Sequence, residues 1–374
     1  MPSICARAFV RAAVAIVVLG ITPAASLGQP CGPTQLFSPP AAYEAGVEAG
    51  FVAIGDLNAA GHVDMAVTNS SSLDVSVLLN LGDGTFAPEA RYGQGGIPRA
   101  VAIDDLDGDG DNDLAVAYQG TDNVGVLLND GEGAFANAVL YDAGIWTFSV
   151  KTGDLDGDGD SDLVVSNILS DDIHILMNNG DGSFAPKVRY AVEERPVSVA
   201  ISDLDGDGNL DVAATNRDSN SVSLLLNRGD GSLARQVSYP AGHWPFSLAI
   251  GDVDGDGNAD LVVVNAFSEN ASVLLNNGDR TFADQVTYSV GRLPVSVALA
   301  DMDGDGDADM VVANAGNNSV GVLLNNGDGT FAAQAIYGAG NITASVALAD
   351  LDGAGDRRLG RRRRSRSGRG QLGV

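Results

Sequence analysis

Cysteine is nearly absent. Cys5 and Cys31 are the only two in 374 residues, and Cys5 falls in what reads as a removable leader. Cys31 then has no partner and no intrachain disulfide can form, so stability must come from packing, ring closure and metal. A long hydrophobic run is missing too: Ala12 to Ile21 is apolar but too short to cross a bilayer, so no membrane span is expected in the mature chain. The polar helix formers Glu and Lys are sparse. Basic residues are scarcer than the count of 21 suggests, because Arg7 and Arg11 lie in the leader and eight arginines lie at or beyond Arg357. Eleven remain against 49 acidic residues. Such a body repels nucleic acid and anionic lipid and suits cations or basic partners.

Residues 1–28 read as a signal peptide, with Arg7 and Arg11 ahead of the apolar run and Ser26 and Gly28 at the −3 and −1 positions. Cys31 follows Gly28-Gln29-Pro30, a poor match to a lipoprotein box, so release rather than lipid anchoring is expected. The chain is therefore read as secreted, and as a monomer.

What is abundant is glycine, 48 residues, together with Val, Ala and Leu in short runs. Short runs between Gly-rich turns favour many short strands. The chain is also strictly periodic. Aspartates recur at Asp56, Asp105, Asp154, Asp203, Asp252, Asp301 and Asp350, each 49 residues after the last. Tyrosines keep the interval at Tyr43, Tyr92, Tyr141, Tyr190, Tyr239, Tyr288 and Tyr337. A third series runs Phe37, Phe86, Phe135, Phe184, Phe282 and Phe331, with Leu233 in the remaining slot. A period without insertions means one supersecondary unit, stacked or set around an axis.

Four strands fit one unit. In the third, Phe148 to Gly153 leads into an aspartate loop and Leu163 to Asn167 leaves it. Ile173 to Met177 follows, then the turn Asn179-Gly180-Asp181-Gly182, and Phe184 to Tyr190 closes the unit. Four strands in about 40–50 residues make a propeller blade. The mature chain starts on a fourth strand (Leu36 to Tyr43) and ends by re-entering a first strand (Ser345 to Asp350). The expectation is an all-β, seven-bladed propeller of four-stranded blades over residues 29–356. Its seventh blade is shared between the termini and short of its middle strands.

Five units carry Asp-x-Asp-Gly-Asp-Gly-x-x-Asp without a fault: Asp105, Asp107, Asp109 and Asp113; Asp154, Asp156, Asp158 and Asp162; Asp203, Asp205, Asp207 and Asp211; Asp252, Asp254, Asp256 and Asp260; Asp301, Asp303, Asp305 and Asp309. Four carboxylates in nine residues repel one another unless a cation sits among them. Calcium, with about 6–8 oxygen ligands, suits them better than magnesium, which keeps its waters. Position 12 is apolar (Val165, Ala214, Val263) and the flanks are strands, so the loop is a metal-clamped hairpin and not an EF-hand. About five Ca2+ sites are expected. The first loop keeps Asp56, Asn58 and Asp64 but has Ala60 in place of a carboxylate. The seventh has Asp350 and Asp352, then Ala354. Both should bind weakly or not at all.

The unit resembles the FG-GAP repeat of integrin α-subunit propellers and its bacterial VCBS-type form. The matching stretches are Asp154 to Gly159 with Asp162 to Val165, Val273 to Gly278, and Asn326 to Phe331, and the likeness covers about residues 36–356. It implies a seven-bladed propeller with calcium between first and second strands on the lower face, and partners on the opposite face. The Arg-rich tail 357–374 is read either as a disordered basic segment or as out of frame. The codons GCC GAC TTG GCC GTC GCC encode a second strand like Asn112 to Ala117, and one extra C ahead of them gives the observed Arg-Arg-Leu-Gly-Arg-Arg.

No catalytic constellation emerges. His62, His174 and His243 sit at unrelated repeat positions, and a packed or surface role suits His174. Asn69, Asn167, Asn216, Asn265 and Asn314, which end second strands, read as turn residues. Trp146 and Trp244 are two periods apart, in fourth-to-first strand loops on the face away from the aspartates. With His243, Arg195 and Arg292 at the rim they form a candidate surface for protein or glycan, unless they cap the core beneath. The expected function is a non-enzymatic extracellular binding module. The alternatives are a polysaccharide-active hydrolase or lyase, and a purely structural surface component.

Overall fold

The structure is a computed structural model describing residues 42–93, 95–339 and 343–351. The signal-peptide reading of 1–28, Cys31, the start of the N-terminal fourth strand, Asp352 and the tail 357–374 lie outside the described residues.

Six four-stranded antiparallel sheets form, each with its strands side by side in chain order. Blade one comprises Ala49–Gly55, Asp64–Asn69, Asp74–Leu78 and Ala90–Tyr92. Blades two to six repeat the plan over 97–142, 147–191, 196–240, 245–289 and 294–338. First strands of successive blades pack on one another and so line the axis.

The second strands read as unbroken apolar runs because both sheet faces are covered by neighbouring blades. In blade three every residue of Asp162–Asn167 is buried. The fourth strand, Val188–Ala191, lies at the perimeter and is largely exposed. The core is therefore interblade: Ala115 and Ala117 of blade two share one cluster with Leu163 and Val165 of blade three. The tyrosine and phenylalanine series meet across the same seams. Tyr141 packs edge-on to Phe184 at 5.3 Å, and its hydroxyl donates to the Gly182 carbonyl at 3.2 Å. At the axis Phe148 meets Phe51 and Phe246 edge-to-face at 6.0 and 6.1 Å, joining blades one, three and five.

The seven-bladed expectation is corrected: six blades form. The physical reason lies in the strand order. In a 1-2-3-4 sheet the first and fourth strands never touch, so the first-strand segment 343–351 and the fourth-strand segment 42–48 need a second and third strand between them. Among the described residues no such strands exist, and neither segment pairs into a sheet. Both still pack at the seam between blades six and one. The Val346 amide donates to Ser296 Oγ at 3.2 Å, Tyr43 packs edge-on to Phe86 at 5.1 Å, and Asn80 Nδ2 donates to the Leu351 carbonyl at 3.0 Å.

The asparagines ending second strands are not turn residues. Asn69, Asn167, Asn216, Asn265 and Asn314 are fully buried. Their amides tie the second strand to the third, as in Asn167 Nδ2 to Asp172 Oδ1 at 3.0 Å and Asn216 Nδ2 to Ser223 Oγ at 2.7 Å. No helix among the described residues is long and apolar enough to cross a membrane.

Candidate functional site

Each aspartate loop joins the partly buried end of a first strand to a fully buried second strand, and the first and ninth positions build it. In blade three Asp154 Oδ1 accepts the Gly157 amide at 2.7 Å and Oδ2 accepts the Gly159 amide at 3.0 Å, which curls the loop on itself. Asp162, at the start of the second strand, accepts Leu155 N at 2.9 Å and Asn178 N at 2.8 Å. Burial pushes Asp162 up to about 6, against the pull of those two amides. Asp113, Asp211 and Asp260 are likewise pushed up to about 6 by burial, and Asp309 is raised for the same reason.

Five triads result: Asp105, Asp107 and Asp113; Asp154, Asp156 and Asp162; Asp203, Asp205 and Asp211; Asp252, Asp254 and Asp260; Asp301, Asp303 and Asp309. In each, one carboxylate oxygen per residue lies within 4.8 Å of the others. These hard anionic oxygens could hold a metal ion, and they fit calcium chemistry. Burial, then mutual repulsion, raises Asp156 and Asp303, the response of carboxylates crowded without a counter-charge. The fourth carboxylate of each pattern stays outside the triad. Asp109, Asp158, Asp207, Asp256 and Asp305 instead accept the amide two residues on, at 2.8–3.0 Å. In the first loop Asp56 keeps its bond to the Gly61 amide at 2.7 Å, but no triad forms there.

The third-to-fourth strand turn of the next blade walls the triads of blades two to five. A Cβ added at Gly182, Gly231 or Gly329 would stand 3.1–3.4 Å from Asp107, Asp156 or Asp254 of the preceding blade. The asparagine opening that turn is the residue the sequence reading missed. Asn129, Asn178, Asn227, Asn276 and Asn325 each donate Nδ2 to the preceding blade's carbonyl at Leu57, Leu106, Leu155, Leu204 and Val253, at 2.7–2.9 Å. Their recurrence every 49 residues was the available signal.

The opposite ends of the same strands carry the fourth-to-first and second-to-third loops. Trp146 and Trp244 both sit at positive φ, 60° and 61°. Asp122 Oδ1 accepts the Trp146 amide at 2.9 Å, Asn220 Oδ1 accepts that of Trp244 at 3.0 Å, and the carbonyls accept Ile168 N and Ala266 N. These bonds hold a conformation that bulky residues seldom adopt. Trp146 is 43% exposed beside exposed Ile145 and Leu169. Trp244 is half-buried, stacked on Phe267 at 3.9 Å, with Arg217 over its ring at 4.7 Å. The two tryptophans thus occupy equivalent places but different environments. His243 packs edge-on to Phe267 at 5.4 Å, Arg195 pairs with Asp218 at 3.3 Å, and Arg292 pairs with Glu269 at 3.5 Å. Phe267, Leu169 and Arg217 lie on second-to-third loops, whose meeting with the tryptophan loops no linear pattern announces.

His174 is buried inside blade three, 3.5 Å from Asp172. Asp172 also bonds Arg189 Nε at 2.6 Å and Ser170 Oγ at 2.7 Å. Burial works to raise Asp172, yet His174, Arg189 and Ser170 together hold it down at about 2.

A family model described as FG-GAP-like repeat matches residues 56–116, 105–165, 154–214, 203–263, 252–312 and 301–357. No curated protein matches the chain. Among similar solved structures is an Agrocybe aegerita lectin that recognises non-reducing terminal N-acetylglucosamine. It is 23% identical with TM-score 0.56, covering 80% of this chain and 85% of its own. A Lactobacillus plantarum protein is 16% identical with TM-score 0.61, covering 82% and 89%. A Staphylococcus aureus virginiamycin B lyase is 13% identical with TM-score 0.53, covering 78% and 85%. At these identities the likeness speaks to fold alone.

Proposed function

The chain belongs to the FG-GAP-like repeat family, and on that footing we propose a secreted, calcium-stapled propeller that binds an extracellular protein or glycan without transforming it. Calcium in the aspartate loops fixes the lower ends of the blades. The upper loops, held rigid by the same scaffold, present the contact surface.

One observation carries the reading. Ile145, Trp146, Leu169, Phe267 and Leu293 are exposed on the upper loops of a chain whose other face is lined with carboxylates. Exposed apolar and aromatic groups recurring on the loops at one end of the blades, with Arg217 beside Trp244 and Phe267, suit a recognition surface. The three histidines support binding over turnover, since they stand apart: His62 against Gly82 on the lower face, His174 inside blade three, and only His243 on the upper loops.

A screen of immobilised glycans and extracellular proteins, run in calcium, tests the proposal. Binding is expected to be lost with Trp146→Ala and to survive substitution of the exposed lower-face Asp181. Binding indifferent to Trp146, or turnover of a bound polysaccharide, would overturn it.

A further inference from the structure

The five triads are not alike. The second glycine of the third-to-fourth strand turn has φ between 72° and 84° at Gly84, Gly133, Gly182, Gly231 and Gly329, and Gly182, Gly231 and Gly329 stand against the triads of blades two, three and five. In blade five the same position is Arg280, at φ 72°, a backbone conformation that favours glycine. Its side chain is directed at the neighbouring triad. Arg280 Nε lies 3.0 Å from Asp205 Oδ2 of blade four, where the Asp205 side chain is 2% exposed. Among the described residues no lysine or arginine pairs with Asp107, Asp156, Asp254 or Asp303, the matching aspartates of the other four triads.

We infer that Arg280 is a resident counter-ion of the blade-four loop, standing where the other four loops take calcium. The inference rests on the calcium reading above and divides its sites. A guanidinium on Asp205 engages one of the three clustered carboxylates and sets a positive charge beside the place a cation would occupy. It is tethered to the chain, so it competes with calcium at a fixed effective concentration. The loop formed by Asp203, Asp205 and Asp211 then has one of its three carboxylates paired from within at all calcium levels. The remaining four depend on the ion.

Calcium titration of the full chain, stripped beforehand with chelator, decides the matter. The parent protein is expected to bind four equivalents, with any fifth at least tenfold weaker. Arg280→Gly restores the residue of the other blades and is expected to bring the fifth site to the strength of the rest. Arg280→Gln keeps the backbone strain and most of the side-chain length without the charge. It is expected to strengthen the fifth site as well, and it carries the test if Arg280→Gly does not fold. Five equal sites in the parent protein, or both variants binding as the parent does, would overturn the role of Arg280 alone. No calcium bound by any form would sink the calcium reading of all five loops, and this inference with it.

Discussion

The side-chain amide of Asn178 donates to the carbonyl of Leu106, 72 residues earlier and one blade away, at 2.9 Å. The same amide bonds Ser161 O at 2.9 Å, its Oδ1 accepts Gly180 N at 3.0 Å, and its own backbone amide reaches Asp162. One side chain therefore links an aspartate loop, a hairpin turn and the neighbouring blade. Asn178→Ala leaves buried carbonyls without donors and is expected to cost about 2–3 kcal/mol. Urea unfolding reads this directly; a loss under about 0.5 kcal/mol would show that water replaces the clasp.

Metal should raise the unfolding midpoint. Metal-free loops hold clustered carboxylates whose ninth-position member burial has already pushed up to about 6 in four blades. Calcium at a hundredfold its Kd would add about 2.7 kcal/mol per site. Scanning calorimetry in calcium and in chelator measures the difference, and magnesium should recover little of it. Coincident midpoints would remove the metal role. Two substitutions separate the buried anchor of the loop from its exposed flank. Asp162→Asn should destabilise even in chelator, because both oxygens already accept amides. Asp158→Asn, outside the triad, should leave the metal-free protein nearly unchanged.

The repeat length, the four-strand unit and the positions of the aspartate loops were all legible in the sequence, because each rests on local pattern. The blade count was not. It depends on whether a first and a fourth strand find middle strands to bridge them, which the phase of the ends does not reveal. Asn167 misled for a related reason: asparagine at a strand end suggests a turn, yet neighbouring blades bury it and turn its amide inward. Arg280 was visible as a break in the Asn-Gly-Asp-Gly pattern, but only the ring brings it to Asp205.

The tryptophans should separate by function. Trp146 stands out from the surface, whereas Trp244 is enclosed by Phe267 and Arg217. Trp244→Ala is therefore expected to cost about 1–3 kcal/mol through lost stacking and cation–π contact. Trp146→Ala should change stability by less than about 0.5 kcal/mol while weakening partner binding. Equal effects on stability would mean that both merely cap the core.

Lys151 gives the prediction with the most definite sign. It lies on the first strand of blade three, where every other first strand and the segment after blade six carry alanine: Ala53, Ala102, Ala200, Ala249, Ala298 and Ala347. Solvent reaches it, yet the protein crowds it closely enough that desolvation pulls its ammonium below the usual lysine range, and no carboxylate opposes that pull. Its place on a first strand packed between the first strands of the neighbouring blades accounts for both facts. A lysine lowered in the folded state holds fewer protons there than when unfolded, so stability must rise with pH between the folded pKa and about 10.4. Below that window the desolvated charge destabilises the ring in full. Lys151→Ala, matching the other units, is expected to raise the unfolding midpoint at pH 7 and to flatten the rise toward pH 10. A variant less stable than the parent at pH 7 would show that Lys151 is held by a favourable charge interaction instead.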